Sequence, residues 1–260
     1  MSVTSIVHPA DRSGTSGIVR RDWKMTSPVQ LARIAGAFYL VVALFSAFAI
    51  IFVDGRIYLP GDAAATAASV LANAAFVRLA VLADLVQATA SVLVGMTLYL
   101  LLKRVDRGAA AAMVIFIAIA AGIMCLDAVF RFGALRVATD ATYVAAFGAM
   151  GANALILVLL DLQHYGFLIA QVFFGLWLVP MGYLAYRSRW FPKALGILLV
   201  VGGAAYLVDL LLTFLLPEIG QSIHGIIVVP PAIAEIWMVA YLLIFGVNSS
   251  VTGSRDLAAV

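Results

Sequence analysis

Six runs of about twenty or more residues pass along this chain with hardly a charged side chain: 31–53, 78–102, 109–132, 162–186, 194–216 and 225–247. A bilayer's hydrocarbon layer is about 30 Å thick, and a helix needs about 20 mostly apolar residues to cross it. The runs are continuous in Leu, Val, Ile and Ala rather than alternating with polar residues, which selects helices over a barrel. A water-soluble alternative fails on composition. With 65% hydrophobic and 11% charged residues in 260, too few polar side chains remain to cover a globule. The expected fold is all-α: a polytopic transmembrane bundle of about six spans over 31–247, with lipid as its first partner.

The net charge of +3 does not call for nucleic acid, because the basic residues are placed by side. Arg12, Arg20, Arg21, Lys24 and Arg33 precede or open the first span, and Lys103, Arg104 and Arg107 join spans two and three. Arg187, Arg189 and Lys193 join spans four and five, and Arg255 lies in the C-terminal tail. Only Arg56, Arg78, Arg131 and Arg136 fall toward the other side. The positive-inside rule then puts both termini in the cytoplasm, as in a multi-pass protein of a bacterial inner membrane. Tyr183, Tyr186, Trp190 and Phe191 among Arg187, Arg189 and Lys193 read as an interfacial belt.

The tail 1–30 is polar at its start and has no apolar core of a signal peptide, so it is expected to be a disordered cytoplasmic tail; 248–260 is expected to be a second cytoplasmic tail. Met25 leads directly into the first span and reads as an alternative start. The lone cysteine, Cys125, lies within span three and reads as a packing residue.

Two further short helices are expected on the outer side. Pro60-Gly61-Asp62 turns into the alanine-rich stretch 63–77, with Asp62 as N-cap and Thr66, Ser69 and Asn73 on its polar stripe. The stretch 141–160 is uncharged; as a seventh span it would move Arg187, Arg189 and Lys193 outside, so it is read as a lateral or re-entrant helix running into span four. Pro230-Pro231 should kink or break span six, and Pro180 should kink span four. Ser91 with Gly95, Ala118 with Gly122 and Gly166 with Ala170 are small pairs that permit close helix approach.

Ionisable side chains are costly in hydrocarbon, so each needs a partner or water. Asp84, Asp127 and Asp209 sit six, five and seven residues from the outer ends of their spans, all about 8–10 Å deep at 1.5 Å per residue. Glu235 lies about 15 Å into span six, and Asp161 and His164 mark the mouth of span four. These residues are read as the lining of one polar cavity open to the outside, a candidate small-molecule or ion site, with Arg78 and Arg131 as counter-charges. A plainer reading is that Asp127 and Arg131, one helical turn apart, neutralise each other.

Enzymatic chemistry is not expected. No Ser-His-acid arrangement, phosphate loop or dinucleotide fingerprint occurs. The histidines are His8, His164 and His224, with no zinc-type spacing between them. A metal-dependent hydrolase using His164 and His224 therefore ranks below a binding or transport protein and below a structural or accessory subunit; no cofactor or metal is expected.

Several stretches are familiar as a set: Leu31-Ala32-Arg33-Ile34-Ala35-Gly36 with Tyr39-Leu40, Pro60-Gly61-Asp62 through Ala67, Arg78-Leu79 with Ala83-Asp84, Tyr165-Gly166-Phe167-Leu168-Ile169 with Phe173-Phe174-Gly175, Gly182-Tyr183-Leu184 with Tyr186-Arg187-Ser188, and Leu195-Gly196. Together they resemble the bacterial membrane family called domain of unknown function 4386. The resemblance implies a multi-span membrane protein and carries no activity, ligand or site residues with it.

Overall fold

The computed structural model describes residues 27–248; the tails, including Met25, lie outside the described residues. The described chain is helical, with six helices long and apolar enough to cross a membrane. The first is α1 (Pro28–Phe48), opened by a capping box in which Ser27 and Gln30 satisfy each other's backbone N–H groups. It widens into a π-helical turn over Ala49–Asp54 and ends in the short α2 (Gly55–Ile57). α3 (Ala63–Ala72) lies between this span and α4 (Ala74–Leu102). α5 (Arg107–Thr139), α6 (Ala141–Ser188) and α7 (Lys193–Leu215) follow, and α8 (Pro217–Ile227) and α9 (Val229–Ile244) complete the sixth crossing.

Each long helix packs on its neighbour in chain order, α1 on α4, α4 on α5, α5 on α6, α6 on α7 and α7 on α9, and α9 closes back on α1. The bundle is therefore a ring around a shared core. Leu98, Met113, Leu178, Met181, Leu184, Leu195, Leu199 and Leu242 fill it, and none is measurably exposed. Outward, Leu44, Leu82, Ile115, Ile197, Leu211 and Ile236 stand more than half exposed, the inverse of a soluble bundle and the pattern of a lipid-solvated one.

Glycine sets the tightest contact. A Cβ on Gly175 would meet the Gly203 carbonyl oxygen at 2.7 Å, and one on Gly196 would meet the Gly182 oxygen at 2.8 Å. The two pairs, seven residues apart on each helix, hold α6 and α7 backbone to backbone. Of the small pairs read from sequence, Gly95 meets Ile117 closely, whereas Gly122 has nothing within 4 Å.

The segment between the first two spans differs from expectation. The stretch 63–77 is not one helix. It breaks at Asn73, whose side chain donates to the Ser69 carbonyl, so α4 begins before Arg78. Thr66, expected on an exposed polar stripe, is fully buried and donates to the Leu59 carbonyl. The sixth span is interrupted at Val228, as Pro230-Pro231 led one to expect, where prolines at the first turn of α9 remove backbone donors. The stretch 141–160 does run into span four, with non-helical backbone only at Gly148 (φ 71°). From Ala149 to Ser188 that helix rises about 60 Å, twice a hydrocarbon thickness. A second core, with Val53, Val70, Val77, Ala134, Leu135, Ile156 and Leu160, fills this extension.

Candidate functional site

Between the two apolar cores lies a charged layer. Arg131 on α5 is 2% exposed, with its Nε 3.0 Å from Asp84 Oδ2 on α4 and its Nη1 2.6 Å from Asp54 Oδ1 at the end of the π-helical turn. One guanidinium thus ties three elements together through separate donors, a geometry lysine cannot reproduce. The wider π turn advances the backbone by a residue relative to a regular helix and so re-aims Asp54; such bulges recur at functional sites.

Asp127 is not the partner of Arg131, although it lies one turn before it on the same helix; the expected mutual neutralisation is replaced by the ties to Asp84 and Asp54. The residue is 4% exposed, and neither carboxylate oxygen has a hydrogen-bond partner among the described residues. It rests against α6 at Gly166, where an added Cβ would overlap the carboxylate. Burying a carboxylate with no partner costs several kcal/mol, so an orphan of this kind calls for an explanation.

Beside it is a cavity of about 80 Å³ lined by Asp54, Asp84, Asp127 and Arg131, by the polar Ser46, Tyr58, Gln87, Gln163 and His164, and by Ala49, Met124 and Phe167. That is room for a few waters or a small ion, well below the roughly 300 Å³ or more of ordinary organic-ligand pockets. At the rim, the Tyr58 hydroxyl donates to Asp161 at 2.6 Å, and its ring lies 5.5 Å from that of His164.

Counted from the basic turns, Asp84 is about 28 Å from Lys103 and Asp127 about 30 Å from Arg107 along their helices. The charged layer thus lies about 28–30 Å along α4 and α5 from those turns, and both helices run on past the ends expected for them.

Of the residues read from sequence as one lining, Asp84, Asp127, Arg131 and His164 meet at this cavity, and Asp161 joins it through Tyr58. Asp209 and Glu235 do not. Asp209, fully buried on α7, has both carboxylate oxygens 2.9 and 3.0 Å from His224 Nδ1 on α8. Glu235 on α9 accepts from the Tyr39 hydroxyl at 3.0 Å and the Tyr206 hydroxyl at 3.4 Å, inside the ring. Arg78 is exposed and makes no ion pair among the described residues. Shared depth does not bring these groups together, because they point from different faces of different helices. Asp54, Ser46, Tyr58, Gln87 and Gln163 were missed; only Asp54, one residue beyond the expected end of span one, carried a signal. No group of three or more His, Cys, Asp or Glu placed to hold a metal occurs among the described residues.

Ring, lipid-facing exterior and charged layer together define a multi-pass integral membrane protein with a polar cavity at one end of its bundle. Within that class, the chain belongs to the family described as domain of unknown function (DUF4386), whose family model matches residues 34–246. No curated protein matches the chain, and no solved structure does.

Proposed function

We propose that this protein binds a small polar solute or ion in the cavity between α1, α4, α5 and α6 and moves it across a bacterial inner membrane, without acting as an enzyme. The observation that carries this reading is the buried Asp127 carboxylate, unpartnered beside a cavity with room to spare. The cavity faces outward and both termini are cytoplasmic on this reading, supported by the basic residues on the α4–α5 and α6–α7 turns. Access can be tested without knowing the ligand. In a Cys125→Ser background, Gln163→Cys at the cavity should react in intact cells with a membrane-impermeant maleimide, whereas Arg189→Cys at the opposite turn should not. The reverse pattern, or no thermal-stability shift of purified protein with any of a panel of alkali salts, ammonium, amino acids and carboxylates, defeats the proposal.

A structural or accessory subunit is the second reading. It is favoured by the far part of α6, where Phe147, Met150 and Val158 are 58, 88 and 50% exposed on a stretch with no charge. Co-purification of a stoichiometric partner that is lost on Met150→Glu would support it.

A further inference from the structure

The cavity's charge and size narrow the occupant further, on the reading that it is a binding site. Its buried groups are Asp84 and Asp127 against Arg131, with side-chain exposures of 11% for Asp84 and 2% for Arg131. Asp54 is less enclosed: its side chain is 38% exposed. The enclosed set is therefore one positive charge short of neutral when ionised. The guanidinium cannot cover the shortfall, since its contacts go to Asp84 and Asp54 while Asp127 keeps both oxygens free.

The remaining polar walls suit a cation. Gln87 on α4 and Gln163 on α6 line it with side-chain amides, which carry an oxygen acceptor each, and Ser46 on α1 adds a hydroxyl. Hard cations of low charge take such oxygen ligands. A volume of about 80 Å³ admits one ion with a water or two and excludes an amino acid or sugar. Gly166 completes the cradle, since only a residue without a Cβ leaves the Asp127 carboxylate its place against α6.

We propose that Asp127 is the anchoring ligand of a site for one monovalent alkali cation, completed by Gln87, Gln163 and Ser46, with Arg131 holding Asp84 and Asp54 around it. Counting only the enclosed groups, Asp84, Asp127 and Arg131, the deficit is one charge, which a monovalent ion matches.

The test uses the purified full chain in detergent, titrated with radioactive sodium at constant ionic strength held by choline chloride. One sodium ion per chain should bind saturably, and sodium chloride should raise the melting temperature relative to choline chloride. Asp127→Asn should abolish binding. Gly166→Ala, which pushes on the carboxylate without removing it, and Gln163→Leu on the facing wall should each weaken binding tenfold or more. Sodium retention equal in wild type and Asp127→Asn overturns the inference, as does saturation only by calcium. If alkali salts do nothing but an organic solute from the panel stabilises the wild type, this inference falls and the broader reading stands. Sodium binding with Gln163→Cys closed to the external maleimide leaves the inference standing and removes the outward-facing reading.

Discussion

Two buried acids in this protein sit in opposite circumstances. Glu235 lies inside the ring with no ion pair among the described residues, yet both of its oxygens receive a phenol hydrogen bond. Asp127 lies in a layer that contains an arginine, yet neither of its oxygens receives a hydrogen bond among the described residues. A hydrogen-bonded carboxylate in a packed core is a structural element, whereas an unpaired one beside a cavity calls for a partner. Polarity inside a membrane bundle is therefore a weak marker of a site; unmet polarity next to space is a stronger one.

The contrast can be broken most forcefully at Arg131. Its replacement by Met leaves Asp84 buried without a counter-charge and unties α1, α4 and α5, which should cost about 3–5 kcal/mol and appear as a large fall in melting temperature and yield. If Arg131→Met melts like wild type, the charged layer does not hold the helices. Next in size is the scaffold shared by both acids. Gly182→Val should cost about 1–3 kcal/mol through overpacking, because a Cβ there already falls 2.5 Å from the Gly196 oxygen; Gly122→Val, with open space around it, serves as the comparison in the same melt.

The acids themselves should then diverge in sign. Tyr39→Phe removes a donor from Glu235 and should lose about 1–3 kcal/mol. Asp127→Asn removes only an unpaired charge and should leave stability in sodium-free buffer unchanged or raised by about 1 kcal/mol. Equal losses for the two would erase the distinction. The smallest effect lies outside both sites. Asp106 caps α5 by accepting from the Ala109 N–H at 3.0 Å, and that bond, with help from Tyr183 and Arg187, holds its carboxyl below the ordinary range. Its stabilising effect is present above the ordinary carboxylate range and is lost as pH falls through the lowered value. Asp106→Asn keeps a cap and should flatten only that acid limb of a melting-temperature profile.

Much of the architecture was legible because lipid imposes it. Hydrophobic length located all six crossings, Asp62 announced the start of α3, and Pro230-Pro231 announced the break before α9. Helix ends were less legible: α4 and α5 outrun their expected ends because the second core around Val77, Leu135 and Ile156 buries apolar residues that a single helix, read alone, cannot show to be paired. The close approach of α6 and α7 was written in glycines seven apart, a spacing longer than the four-residue pairs that drew attention.

The site was half legible. Depth along each helix follows from residue number, so Asp84, Asp127 and Asp209 could be assigned to one level, with Arg131 named as a counter-charge. Azimuth around the bundle axis depends on which neighbours a helix packs against, and so Asp209 and Glu235, equally conspicuous in the sequence, turn to His224 and to Tyr39 and Tyr206 instead. The rise per residue and the cost of charge in hydrocarbon act within one segment, and through them the sequence alone determined an all-helical membrane bundle carrying a few buried acids. Which of those acids is satisfied and which is left facing a cavity was decided only by the closed ring, since a hydrogen bond between distant segments exists only once their helices are in register.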